Sequence, residues 1–275
     1  MERSNLTKAM RWRIAERLAE ERLEIVNECC PMVKVKNTFY TRYVKRTIDV
    51  IVSLIVLVIT LPINLIIGII TFWDVGSPIL FKQRRLGKDG KLFDIVKFRN
   101  MKNIVDDRGE LLPPSQRITK FGKFVRRTSL DELLNFWSVL KGDMSLIGPR
   151  PLLPEHLNRY SNRHKQRLAV KPGLECPPQK LNGHVWTWEE QFENDVWYVE
   201  NVGFITDCKM FIKLIRFALD RKSTSARASV TRGIFMGYDL NGIAITLEQV
   251  PQHYIDEVAE EMLNNNNEYI MPLAQ

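Results

Sequence analysis

The chain has 275 residues, 45% hydrophobic and 26% charged, enough to bury one substantial core and a small second module. A formal net charge of +8 excludes an acidic disordered tail and points to a polyanionic partner: nucleic acid, anionic lipid headgroups or a phosphorylated small substrate. Cys29, Cys30, Cys176 and Cys208 show no zinc or disulfide spacing, which fits a reducing compartment, and the charged N-terminal region predicts no cleavable secretory signal.

Met10, Ile14, Leu18 and Ile25 recur at helical spacing among charges, so residues 6–28 are predicted to form an amphipathic helix, serving either a protein partner or a membrane surface. Val50 to Trp73 carries no charge and is bounded by Asp49 and Asp74. As a helix it would measure roughly 36 Å, against a hydrocarbon core of about 30 Å. Pro62, near its midpoint, removes a backbone donor and crowds the preceding turn, which predicts a sharp kink. Arg42, Lys45 and Arg46 precede the segment, and Lys82, Arg84, Arg85 and Lys88 follow it. Basic flanks mark the cytoplasmic side, so both ends claim the same side and favour a re-entrant helix broken at Pro62; a kinked spanning helix is the alternative. A nucleic-acid binder would account for the charge but not for this segment, so nucleic acid is not expected as a partner.

Ile79–Gln83 and Lys91–Arg99, joined through Gly87 to Gly90, predict a small β-hairpin with Lys97 and Arg99 on one face. Residues 103–118, with Asp106-Asp107-Arg108-Gly109 and Pro113-Pro114, predict an exposed loop. Trp188, Phe192, Val196 and Val199 mark one amphipathic helix. Met210, Phe211, Leu214, Ile215 and Ala218 mark another, dotted with Lys209, Lys213 and Arg216. Both suit either the headgroup layer or an ordinary core. The last 50 residues, including Asn264 to Asn267, carry no readable motif, and there is no internal repeat.

Val125 to Pro151 is the most informative stretch: an Arg pair, Ser129-Leu130-Asp131-Glu132 ahead of an apolar run, then Gly148-Pro149-Arg150-Pro151. Ser129 with Glu132 three positions on is a capping box, which by itself would explain both. Asp131 is not needed for the cap. In a first helical turn it would sit where unpaired N–H groups favour anions. Carboxylates bracketed by guanidinium groups suit phosphoryl chemistry around a divalent cation, with Asp131 as nucleophile and Glu132 binding the metal or managing a proton. Arg126 and Arg150 could clamp diphosphate oxygens at two points, as lysine cannot; ordinary surface charge is their alternative.

Arg126-Arg127-Thr128-Ser129-Leu130-Asp131-Glu132-Leu133 and Leu140-Lys141-Gly142-Asp143-Met144-Ser145-Leu146-Ile147-Gly148-Pro149-Arg150-Pro151 resemble the signature of the bacterial sugar transferases, the monotopic polyprenyl-phosphate phosphoglycosyl transferases. Lys45-Arg46 with Asp49, Phe81 to Gly87, Lys97 to Met101, Lys171-Pro172-Gly173 and Phe192 to Val199 extend the resemblance over roughly residues 44–222. After Gly173 the family usually continues Ile-Thr-Gly-Trp-Ala-Gln and then Val-Asn-Gly-Arg. Here stand Leu174-Glu175-Cys176-Pro177-Pro178-Gln179 and then Lys180 to His184, with a glycine lost and the expected Arg replaced by His184.

The resemblance implies transfer of a sugar 1-phosphate from a UDP-sugar to undecaprenyl phosphate, releasing UMP, as the first membrane step of surface glycan assembly. It implies Asp131 as the nucleophile of a covalent phosphosugar intermediate, Glu132 beside it, both toward Mg2+, with Lys97, Arg126 and Arg150 on substrate phosphates and Glu155 and Asp195 in support. The implied fold is mainly α with a small β-hairpin: a re-entrant membrane helix broken at Pro62 and interfacial amphipathic helices around a small cytoplasmic catalytic domain. Its divisions would be an N-terminal extension (1–43), the membrane helix (44–75), the catalytic domain (76–222) and a C-terminal extension (223–275). The implied location is the cytoplasmic face of the bacterial inner membrane among its lipids, with a homodimer left open. A catalytically silent scaffold that recruits other glycosyltransferases is the alternative, prompted by the altered 174–184 loop.

Overall fold

The computed structural model describes residues 2–29, 38–106, 111–177, 186–219 and 233–264. Asp107, Arg108 and Gly109 of the predicted loop, Pro178 to His184 of the altered loop, Cys30 and Asn265 to Asn267 lie outside the described residues.

Helix α1 (Lys8–Cys29) is opened by Thr7, whose hydroxyl accepts from Met10 N at 3.2 Å. Its apolar stripe is neither membrane-facing nor turned to a separate partner. Met10, Ile14 and Leu18 are buried within the molecule, while Ile25 is exposed and Val26 takes the inward position. What covers the stripe is the C-terminal segment: strands β5 (Phe235–Tyr238) and β6 (Ala244–Thr246), an antiparallel pair, and helix α7 (Gln252–Asn264). Met236, Ile245, Tyr254, Ile255, Val258 and Met262 close one core with Leu6 to Leu18. Arg22 donates to Tyr238 O at 2.8 Å, and Tyr254 Oη donates to Glu21 at 2.6 Å. The two ends of the chain therefore fold as one module, although the C-terminal one shows no legible motif.

Helix α2 (Lys45–Val75), entered through a π-turn at Tyr40–Val44, contains Pro62. Tyr40–Val75 is the one described stretch long and apolar enough to cross a membrane. Polar side chains near Pro62 bond within the helix: Thr60 Oγ1 donates to Val56 O at 2.7 Å and Asn64 Nδ2 to Thr60 Oγ1 at 3.3 Å. Burial on α2 is confined to its two ends, Asp49 and Ser53 on one side and Ile67, Gly68 and Thr71 on the other. Between them Val58, Leu61 and Leu65 stand exposed.

Strands β1 (Leu80–Leu86) and β2 (Leu92–Phe98) form the predicted antiparallel hairpin, with Phe81 opposite Lys97 and Asp89 at φ 57° in the turn. Helix α3 (Lys120–Arg127) is capped by Thr119, which accepts from Gly122 N at 2.8 Å. Helix α4 (Asn135–Lys141) leads to β3 (Ser145–Ile147), which runs parallel to β4 (Gly173–Glu175). Helix α5 (Trp188–Asn201) starts with a capping box, Thr187 and Glu190, and α6 (Phe204–Leu219) follows it.

The headgroup-layer expectation fails for α5, because Phe192, Val196 and Val199 are fully buried: they are core. Helix α6 differs. Met210 turns inward, while Phe204, Ile205, Phe211, Ile212 and Ile215 form an exposed apolar face.

Because α1 and α7 share one core, Ile14→Ala should cost about 2–5 kcal/mol. Hydrogen exchange should then quicken in Gln252–Asn264 as well as in α1; unchanged protection of α7 would show that the helices are independent.

Candidate active site

Both ends of α2 are bonded to the body that carries the central motif. At the first end Arg46 caps α4, donating to Val139 O at 2.6 Å and Leu140 O at 2.7 Å, a cation at a helix C-terminus. Asp49 accepts from Ser145 Oγ at 3.1 Å and Leu146 N at 3.0 Å, and Lys45 donates to Ile147 O at 3.0 Å. At the other end Arg99 donates to Val75 O and, at 2.8 Å, to Gly76 O, and Thr119 Oγ1 donates to Asp74.

The capping box at Ser129 does not form. Ser129 takes a left-handed φ of 56° and makes no capping bond; a 3-10 turn, Leu130–Glu132, follows, and α4 begins only at Asn135. The reversal at Ser129 frees the Glu132 carboxylate to reach forward instead of back to the Ser129 N–H. It also removes the helix-terminus argument for Asp131, since a three-residue turn has no developed dipole.

Glu132 is gripped from two elements. Lys97 Nζ, on β2, donates to its Oε1 at 2.5 Å, and Arg150 Nη2 donates to Oε1 at 2.9 Å and Oε2 at 3.3 Å. Burial alone would raise its carboxyl, but Arg150 and Lys97 outweigh burial and hold it down at about 2. Asp131, beside it, is 4% exposed. Asn100 Nδ2 donates to its Oδ2 at 3.3 Å, and its Oδ1 has no hydrogen-bond partner among the described residues. Burial, then the Glu132 charge, raises the Asp131 carboxyl above the ordinary aspartate value, against Lys97 and Arg126.

Lys97, Asp131, Glu132 and Arg150 thus come together. Arg126 does so in part: exposed in the last turn of α3, it acts on Asp131 through charge alone. Asp195 stays out of the cluster. It is paired with Arg167 at 2.7 and 3.0 Å, each side chain 1% exposed, and Arg167 in turn donates to Arg150 O at 2.8 Å. Asp195 is therefore linked to Arg150 at one remove. Glu155 lies 3.7 Å from Lys8 of α1, outside the cluster, and Arg85 stands in its field as well as in those of Arg150 and Glu132.

Sequence reasoning missed three contributors. Arg167 carried no signal beyond being an Arg near Lys171-Pro172-Gly173. Asn100 stood unremarked within a quoted motif. Glu175, in the altered loop, accepts from Arg150 Nη1 at 3.2 Å, so Arg150 bridges two carboxylates. Its placement follows from β3 and β4: a Cβ at Gly173 would overlap the backbone of Gly148, so the strands approach closely enough to set Glu175 beside Arg150. His164, Glu189 and Glu193 also bring metal-ligating atoms together, but Arg163 holds Glu193 at 2.5 Å and Tyr238 Oη lies 2.9 Å from His164 Nδ1, a link between the body and the terminal module.

A buried carboxylate thus stands beside a cation-clamped one, on a body bonded to both ends of a long apolar helix. A family model described as bacterial sugar transferase matches residues 40–221, and the chain belongs to that family. It is 39% identical over 193 residues to an uncharacterized sugar transferase, EpsL, of Bacillus subtilis (strain 168), covering 70% of this chain and 96% of that one. It is 34% identical over 198 residues to the undecaprenyl-phosphate galactose phosphotransferase of Salmonella typhimurium, covering 66% of this chain and 41% of that one. With the UDP-glucose:undecaprenyl-phosphate glucose-1-phosphate transferase of Klebsiella pneumoniae the identity is 35% over 180 residues, 60% of this chain and 38% of that one. The chain thus spans about two fifths of the length of the latter two relatives. Helix α1 and the β5–β6–α7 segment fall outside the family match.

Removing Arg167 would leave Asp195 charged, buried and unpaired. Arg167→Met should therefore lower stability by about 3–5 kcal/mol, and Arg167→Met with Asp195→Leu should recover most of it. Urea unfolding midpoints of the detergent-solubilised protein check both.

Proposed function

We propose that the protein transfers a sugar 1-phosphate from a UDP-sugar to undecaprenyl phosphate, giving undecaprenyl-diphosphate-sugar and UMP, the first membrane step of a surface glycan. The observation that carries this reading is Asp131: a buried carboxylate with one oxygen free of donors among the described residues, next to a Lys97–Glu132–Arg150 cluster that supplies positive charge for a diphosphate. An Asp131 oxygen attacks the donor's β-phosphorus; the bond to the bridging oxygen breaks, and UMP leaves with the electron pair. A phosphate oxygen of undecaprenyl phosphate then attacks the phosphosugar and releases the Asp131 carboxylate. Arg150 and Lys97 orient the diphosphate, with Arg126 at the rim.

The free Asp131 Oδ1 beside Glu132 suits a hard cation, since Mg2+ commonly takes one or two carboxylates and completes its shell with substrate phosphates and water. Asp131 and Glu132 would hold it, and when bound it would neutralise charge developing on the diphosphate.

A re-entrant α2 in the cytoplasmic leaflet of the inner membrane fits this reading. Its support is that both helix ends bond to one body while the residues around Pro62, Val58, Leu61 and Leu65 among them, stand exposed.

With Mg2+ and undecaprenyl phosphate, purified protein should release UMP from one of a panel of UDP-sugars. Asp131→Asn should abolish release and the covalent adduct detected by mass spectrometry; full turnover by that variant would refute the nucleophile. If no UDP-sugar is consumed, the silent-scaffold reading stands instead.

Because Asp131 is raised by burial and by Glu132, the acid limb of the acceptor-free UMP burst should lie above the ordinary aspartate range of about 3.9. Glu132→Gln removes one raising charge, so the limb of its residual burst should move to lower pH. A limb that stays put would separate the two carboxylates electrostatically.

A further inference from the structure

A cavity of about 300 Å3 lies between the first half of α2 and helix α6. Its walls include Ile48 and Val52 from α2, Ile147 from β3, and Phe204, Phe211 and Ile212 from α6; no residue of the carboxylate cluster lines it. The polar groups at its edge are already engaged with the protein. Asp207 accepts from Lys45 Nζ at 2.6 Å and from Tyr40 Oη and Tyr198 Oη, each at 2.7 Å, while Asp49 is taken up by β3. What remains facing the space is hydrocarbon, so a headgroup finds little there and an apolar chain finds a dry wall.

Two observations say which chain. The same two helices carry exposed apolar residues, Ile51, Leu54 and Ile55 on α2 and Ile205 and Ile215 on α6, so the cavity lies beside the surface that the proposed membrane placement gives to lipid. Its strand leads to the phosphate clamp: Ile147 lines the cavity, and Arg150 follows three residues later, at most about 10 Å away along an extended chain. A phosphate on Arg150 and a hydrocarbon tail beside Ile147 therefore fit one molecule.

We propose that this cavity is the tail subsite for the polyprenyl chain of the acceptor lipid, holding the isoprenoid units nearest its phosphate. The inference rests on the reading above for the identity of the lipid. The subsite makes the acceptor's chain a recognition element, so that selection against bulk phospholipid is exerted on hydrocarbon as well as on phosphate.

Cys208, a free thiol, lines the cavity, and the thiol of Cys176 is buried elsewhere and serves as an internal control. The unmodified protein would be placed in phosphatidylethanolamine and phosphatidylglycerol vesicles with or without undecaprenyl phosphate, and N-ethylmaleimide labelling of the Cys208 peptide followed by mass spectrometry. Labelling should slow several-fold with undecaprenyl phosphate; equal rates would overturn the proposal, whether bulk acyl chains fill the cavity or nothing does. Ile212→Trp, which fills the space, should raise the KM for undecaprenyl phosphate about tenfold, the equivalent of roughly two methylenes left unburied. Its KM for the UDP-sugar and its acceptor-free UMP burst should be unchanged, and an unchanged acceptor KM would also overturn the subsite. If Ile212→Trp loses its burst through misfolding, the Cys208 measurement decides. A protein that consumes no UDP-sugar would fail the functional reading, while Cys208 protection would still report on the cavity.

Discussion

The site depends on the placement of Arg150. Its guanidinium grips Glu132 and Glu175 while its main-chain carbonyl is held by Arg167, so one residue is fixed from both ends. Arg167 can do this only because Asp195 neutralises it in a compartment walled by Tyr160 and Phe192, whose rings lie 5.8 and 5.7 Å from the guanidinium carbon. The close approach of Gly148 to Gly173 sets the turn into Arg150. With Arg150 in place, Glu132 stays ionised, and its charge in turn makes Asp131 more basic than an ordinary aspartate. Two adjacent carboxylates are thereby driven in opposite directions, the arrangement that lets neighbours of the same type take different roles.

Much of this was legible in the sequence, and what was hidden was hidden for physical reasons. The hairpin showed in its glycine turn, and the apolar helix in an uncharged run that only lipid or a large core could cover. Lys97, Asp131, Glu132 and Arg150 were named from their motifs, and the structure brings them together. The capping box at Ser129 misled because Ser and Glu three apart serve a cap only when the intervening backbone is helical, and a left-handed serine cannot be read from residue types. Asp195 was named in support, but its link to Arg150 runs through Arg167, and a buried ion pair shows only once both partners are placed. Glu175 was out of reach because its contact depends on a parallel strand pair of three residues each, too short to leave a periodic pattern, and Arg167 because its partner Asp195 lies 28 residues away on another element.

The amphipathic helices carry a related lesson. Period alone marks an apolar face but not what covers it. For α1 the cover is the β5–β6–α7 segment; for α5 it is a core shared by the body and that module, where Phe192 meets Tyr160 and, from β5, Phe235 edge to face. Only α6 keeps its face outward, next to α2. The family match stops at residue 221, and the terminal module shares core residues with the body before it.

That shared core has a consequence for how the chain is made. Glu21 and its partner Tyr254 are separated by 233 residues, and synthesis at about 5–20 residues per second puts on the order of ten to fifty seconds between them. For that interval the first helix emerges with its apolar stripe uncovered, ahead of the long apolar segment of α2. Helix α1 cannot settle until β5, β6 and α7 have been made, which makes their arrival the step that closes this module.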